Sequence, residues 1–445
     1  MAPTPNRLIT SLLGVALFPL LALCQSAAPN EAAIVSGLQT AGASGSWRDP
    51  SQWPARFGRT VEEPIQGVVI ELPAGRTTHA WRAASATGAL ARGWWDTASD
   101  GERLLNGQAA TSISFAEPID GVFGFHRETL KPNEPPESLP PAAAMMFVSG
   151  QRVDTPRAGL APETVSIQRT WFSLYDPTKG PARGIAIVMP GLFGTPEAVF
   201  DQVVRHFQSR RWVVLRMMAQ PSRYTERLTL SIDPDDTAAA ASRLASTFDQ
   251  RAAECAYAVE AALAWAESSR PEIRNKPRVI LGGSGGAMSL PPVVARRPGS
   301  FHAAVIIAGG ADFATIAATS NYEEWVDSVR LRWGDRKGTP AEVEALSRAY
   351  LAHARLDAYH TAEALKGTPM LFVQASRDRA VPAQQQELLW ERLGRPERRL
   401  LNVGHETLFV SLPLRMSGIM DWIDKALNSA ERGQDAEPHH PPEPE

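Results

Sequence analysis

The chain has 445 residues, 44% of them hydrophobic and 21% charged, with a formal net charge of −3. A balance so close to neutral leaves no global basic field to recruit nucleic acid or an anionic membrane, so any partner must be argued from a local site. Two cysteines, Cys24 and Cys255, exclude an internal disulfide framework, and the length allows one large domain with an appendage.

Met1 to Asn6 is polar, Arg7 supplies a positive charge, Leu8 to Leu23 is almost wholly apolar, and small residues follow at Ser26, Ala27 and Ala28. This layout predicts a signal peptide over 1–28 and an exported protein, periplasmic or secreted. An uncleaved membrane anchor is the alternative, interrupted by Pro19. Lipidation at Cys24 is a further one, against which Leu23 stands because such boxes want a small residue before the cysteine.

Residues 29–143 read as a β-rich or irregular region, with strand candidates at 66–72 and 111–117 and tryptophans at Trp47, Trp53, Trp81, Trp94 and Trp95. Those rings suit core packing better than sugar stacking. The stretch from Lys131 to Ala143 is proline-rich and predicts an extended linker.

Beyond it, TVSIQRTWFSLYDP at 164–177 alternates as a strand does, and GIAIVM is a continuous apolar run of the kind buried on both faces of a sheet. A helix opened by Thr195 and Pro196 follows, then the strand RWVVLRMM, a helix over 237–269, and the strands PRVILGG and FHAAVIIAGG. TPMLFVQAS is a strand, Ala383 to Leu393 a helix, RRLLNV a short strand, and about Pro413 to Asn428 the last helix. Alternating strands and helices imply parallel βαβ units in a three-layer α/β fold over about 144–430. Two excursions interrupt it: Gln220 to Asp236, and a mostly helical insertion at about 313–365 bearing Trp325 and Trp333, read as a lid or as plain packing. The tail 431–445 has little apolar content and should be disordered. Cys255 falls on one helix face with Val259 and Leu263 and reads as a small buried thiol.

The chemistry gathers where strands end. Gly282-Gly283-Ser284-Gly285-Gly286 follows the strand VIL, and a sharp strand-to-helix turn needs small residues two before and two after its apex. A serine needs a base and the base an orienting acid. His405 in NVGHETLF is expected in a loop directly after the last short strand and just before the last helix, at the end where strand C-termini and active-site loops gather. Asp378 in QASRDRAVP follows the strand TPMLFVQ, and Asp312, after AVIIAGG, is its rival. Pro190-Gly191-Leu192-Phe193-Gly194 forms a tight turn after GIAIVM.

With these pieces in the order serine, acid, histidine, the sequence resembles the α/β-hydrolase superfamily over roughly 160–430. The resemblance implies a mostly parallel central sheet with a helical lid, the nucleophile Ser284, the acid Asp378, the base His405 and an oxyanion hole from the N–H groups of Leu192 and Gly285, Phe193 being the second candidate for Leu192. Pro190 stands where many relatives carry histidine. Pro291 and Pro292 fall two turns into the helix after Ser284, where a kink or break is expected. The implied activity is hydrolysis of carboxylic esters on a small-molecule or polymer-borne acyl substrate, without metal or organic cofactor. A serine peptidase acting on short peptides is the main alternative, an esterase of plant polymers another, and a non-catalytic binding protein on the same scaffold the last.

Overall fold

The computed structural model describes residues 46–48, 53, 57–63, 112–115, 142–152, 164–192, 197–218, 228–321 and 329–434. The expected signal peptide, the strand candidate at 66–72, Thr195 and Pro196, and the tryptophans at 81, 94, 95 and 325 lie outside the described residues.

Among the described residues ten strands form one sheet in the order β1 (Phe57–Glu63), β3 (Ala143–Arg152), β4 (Thr164–Tyr175), β6 (Trp212–Met217), β5 (Gly184–Met189), β8 (Arg278–Gly283), β9 (Ala303–Ile307), β11 (Met370–Ala375) and β12 (Glu397–Leu401), with β2 (Ser112–Phe115) paired to the start of β4. From β6 to β12 every pairing is parallel. β4 joins this block antiparallel, as do β3 and β1 beyond it. Strands from before the proline-rich stretch are therefore hydrogen-bonded into the same sheet as those after it.

The apolar runs behave as strands enclosed by helices must: β5, β6, β9 and β11 are buried at every residue. The one charge inside them, Arg216 on β6, reaches Asp201 at 3.2 Å and lies over the ring of Phe200, which gives its buried guanidinium a partner. α1 (Glu197–Ser209) and α9 (Leu412–Gln434) cover one face through Phe200, Val203, Phe207, Met416, Ile419 and Ile423. On the other face α2 (Thr237–Ser269) packs against α3 (Gly285–Arg296). α2 has 33 residues, spanning about 50 Å at 1.5 Å per residue, and is capped by the Asp236 carboxylate, which accepts from the N–H of Ala239.

Three expectations are revised. α3 runs without a break through Pro291 and Pro292, both buried within it. Two intrahelical hydrogen bonds are lost there, but the same helix buries Leu290, Val293, Val294 and Ala295, and tertiary burial outweighs local propensity. His405 stands not in a loop but at the first residue of a short helix, α8 (His405–Val410), which precedes α9. α9 itself continues to Gln434, past the expected start of the tail.

The insertion after β9 holds α4 (Phe313–Thr319), β10 (Val329–Arg332), α5 (Pro340–His353) and α6 (Ala358–Thr361). α5 opens with a capping box between Thr339 and Glu342. β10 pairs in parallel with β7 (Leu228–Ser231) of the first excursion, and the Ile232 N–H donates to the Arg332 carbonyl at 2.7 Å. The two excursions thus join in a small sheet of their own. Trp333, at its end, is buried, as are Trp47 and Trp53, and no helix of the described residues is long and apolar enough to cross a membrane.

Candidate active site

The chain leaves β5 for β6 on one side, then returns to place β8 on the other, so the strand order reverses between β5 and β8. In such sheets the crevice forms beyond the C-terminal ends of the two strands. Gly191 and Leu192 stand at the end of β5 and Ser284 at the end of β8.

Ser284 is the apex of the turn from β8 into α3, with φ 51° and ψ −119°, a backbone conformation costly for a residue with a side chain. The surroundings enforce it. Its N–H donates to the Ile307 carbonyl at 2.8 Å and its own carbonyl accepts from the Met288 N–H at 3.0 Å. The chain crosses itself so closely that a Cβ on Gly282 would lie 2.5 Å from the carbonyl oxygen of Gly286, and one on Gly286 would lie 2.5 Å from those of Met189 and Pro190. Backbone cannot yield to a side chain there, so glycine two before and two after Ser284 is a steric requirement.

His405 bridges serine and acid. Its Nε2 lies 3.0 Å from Ser284 Oγ and its Nδ1 lies 2.6 Å from Asp378 Oδ2. With Nδ1 protonated and donating to the carboxylate, Nε2 is left to accept the serine hydroxyl proton. Asp378 is held by its own turn, its Oδ1 accepting from the N–H groups of Ala380 at 2.9 Å and Val381 at 2.8 Å. Both Asp378 and His405 are buried, and the Phe409 ring packs 5.0 Å from the imidazole. Between β11 and the histidine, Ser376 and Arg377 donate their N–H groups to the carbonyls of Leu401 and Val403, tying the acid loop to the segment that carries His405.

Asp312 is elsewhere. It is a buried helix cap at φ 65°, whose carboxylate accepts from the N–H and hydroxyl of Thr315 and from the Ser347 hydroxyl. Of the two candidate acids, the fold brings only Asp378 to His405.

Leu192 lies across the elbow. A Cβ placed on Gly285 would sit 3.0 Å from the Leu192 backbone nitrogen, and one on Gly191 would sit 3.3 Å from Ser284 Cβ. The N–H-bearing segments of Leu192 and Gly285 therefore border the same serine. Phe193 lies outside the described residues. Sequence reasoning missed Phe409, which the spacing of HETLF, four residues after His405 on one helix face, could have signalled. It also missed Gln386, whose side-chain amide bonds Ala375 and Val381 on either side of the acid loop.

Among the described residues no group of three or more His, Cys, Asp or Glu side chains is spaced to hold a metal ion. Cys255 is fully buried in α2, and burial pushes its thiol well up.

The prolyl oligopeptidase family matches residues 252–404, a span that includes Ser284 and Asp378 and stops just short of His405. Similar solved structures include the esterase PF2001 of Pyrococcus furiosus, 14% identical, covering 58% of this chain and 86% of that one at a TM-score of 0.38. Est1E from Butyrivibrio proteoclasticus is 13% identical and covers 57% of this chain and 95% of its own at a TM-score of 0.39. The acylaminoacyl peptidase of Pyrococcus horikoshii is 12% identical over 57% of this chain at a TM-score of 0.38, and only 39% of that longer chain is spanned. No curated protein matches the sequence.

Proposed function

For a chain that belongs to the α/β-hydrolase superfamily, we propose that the reaction is hydrolysis of carboxylic esters through an acyl-enzyme on Ser284. The observation that carries this reading is the continuous pair of contacts from Ser284 Oγ to His405 Nε2, 3.0 Å, and from His405 Nδ1 to Asp378 Oδ2, 2.6 Å. His405 takes the hydroxyl proton as Ser284 attacks the carbonyl, and Asp378 holds the imidazole in the tautomer that leaves Nε2 free to accept it. The N–H groups of Gly285 and Leu192 receive the negative charge that develops on the substrate oxygen. His405 then returns the proton to the departing alcohol, and a water, activated in the same way, releases the acid. The N-terminal layout of Arg7 and Leu8 to Leu23 supports a site of action outside the cytoplasm.

A second reading, hydrolysis of short peptides, is favoured by the family match over 252–404. It requires an anionic group to receive a free amino terminus, and Glu406, exposed beside His405, is the acidic side chain nearest in sequence to the triad histidine. Matched p-nitrophenyl esters of graded acyl length and p-nitroanilides of single amino acids and dipeptides discriminate the two. Ester kcat/KM exceeding anilide kcat/KM at every matched acyl group supports the esterase reading; the reverse order, abolished in Glu406→Gln, replaces it with the peptidase.

A further inference from the structure

Asp312, the rival acid in the sequence, is part of a fastening whose far end reaches the loop that carries Asp378. The fastening begins at Asp357, the N-terminal cap of α6. Its Oδ1 accepts from the N–H of Tyr359 at 2.8 Å and from that of Asp312 at 3.0 Å, and its Oδ2 accepts from the N–H of Phe313 at 3.0 Å and from the Tyr350 hydroxyl at 2.8 Å. One carboxylate thus pins the backbone at which β9 gives way to α4. Asp312 in turn caps α4 through Thr315 and joins it to α5 through Ser347, 2.7 Å away.

Helix α4 then bears on the acid loop at two points. Ile316 converges with Val381 and Gln385 on the space over Gly310, where an added Cβ would meet their side chains at 3.1, 2.6 and 3.3 Å. Just past the helix the Asn321 N–H donates to the Arg379 carbonyl at 2.9 Å, and just before it the Ala311 N–H donates to the Gln385 carbonyl at 3.1 Å. Arg379 and Val381 flank the turn whose N–H groups, at Ala380 and Val381, grip Asp378 Oδ1. A shift of α4 is therefore transmitted to the carboxylate that orients His405.

We propose that Asp357 is a positioning residue for the triad: through the Asp312 cap it fixes α4, and α4 holds the loop 378–381 so that Asp378 meets His405. This rests on the reading of Ser284, His405 and Asp378 as the catalytic groups. A loosened loop weakens the Asp378 contact with the imidazolium more than with neutral imidazole, so its signature is kinetic and pH-dependent.

The test compares wild type with Asp357→Asn and Asp249→Asn, using p-nitrophenyl ester turnover, labelling rate with a fluorophosphonate, and kcat/KM from pH 5 to 9. Asp249 is the contrast because its carboxylate fastens the N–H groups of Arg355 and Leu356 to α2, at the same cluster but not at the root of α4. Expected for Asp357→Asn is a fall in kcat of about tenfold with KM kept within about twofold. The acid limb of its profile moves to lower pH by roughly half a unit, while Asp249→Asn keeps the wild-type profile even if it melts earlier. Unchanged kcat and profile in Asp357→Asn, or equal changes in Asp249→Asn, overturn the proposal. If Asp357→Asn does not fold, Thr315→Val, which removes one donor to Asp312, must show the same displacement of the acid limb at smaller size, and its absence is equally fatal. Failure of wild type itself to label or turn over ester would instead overturn the catalytic reading on which this one stands.

Discussion

Gly285 and Leu192 are packed so closely that a Cβ on the glycine would fall 2.5 Å from Leu192 Cγ and 3.0 Å from its backbone nitrogen. If those two N–H groups form the oxyanion hole, Gly285→Ala pushes one donor away while the triad stays in place. The expected outcome is a loss of kcat on the order of 10²-fold with little change in KM. Steady-state kinetics on a p-nitrophenyl ester, with thermal melting as control, check it; a variant that melts like wild type and keeps full kcat removes Leu192 from the oxyanion hole.

The two aspartates make opposite predictions. Asp378→Asn retains an oxygen for the N–H groups of Ala380 and Val381 but presents no carboxylate to His405 Nδ1, so kcat falls by about 10⁴-fold without loss of fold. Asp312→Asn keeps most of a helix cap and loses about tenfold at most, at some cost in stability. Kinetics of the purified pair decide between the two candidate acids, and a larger loss in Asp312→Asn reverses the assignment.

Stability responds to pH through the buried carboxylates beneath the insertion. Burial pushes Asp249 up to about 7, against the pull of the Leu356 and Arg355 N–H donors and with Asp357 adding to the push; burial likewise raises Asp312 to about 6. A carboxyl raised on folding adds stability that is whole below its unfolded value and is lost as pH rises through the folded one. Desolvation shifts His360, which is buried, and the more exposed His302 down, which gives the opposite slope below their ordinary value of 6.5. The clean window is therefore pH 6.5 to 8. There the melting temperature of wild type falls by roughly 2 °C, corresponding to about 1 kcal/mol from Asp249 alone. Asp249→Asn flattens the curve in that window. A wild-type melting temperature that rises across it, or an unchanged slope in the variant, contradicts this origin.

Much of this was legible because the signals were local. The glycines around Ser284 report a crossing of backbone on backbone, and Asp378 announces its turn by bonding the N–H groups two and three residues on. The runs GIAIVM and MLFVQA are apolar on both faces because helices cover both. What escaped depends on distant partners. β7 is exposed at alternate positions and finds β10 about a hundred residues away, which no periodicity announces. Pro291 and Pro292 break a helix by local rules, yet α3 is held by what it buries. Asp312 after a strand looks alike in sequence whether it faces a histidine or caps a helix. The distinguishing sign was Thr315, three residues on, which closes the cap.

The central claim is that Ser284 is a nucleophile activated by His405. Stoichiometric reaction of the native protein with a fluorophosphonate, followed by peptide mass spectrometry, tests it most directly. The account predicts one adduct per chain on Ser284, abolished in Ser284→Ala and slowed by several orders of magnitude in His405→Ala. No adduct on the folded wild-type protein, or an adduct that persists in Ser284→Ala, would contradict it.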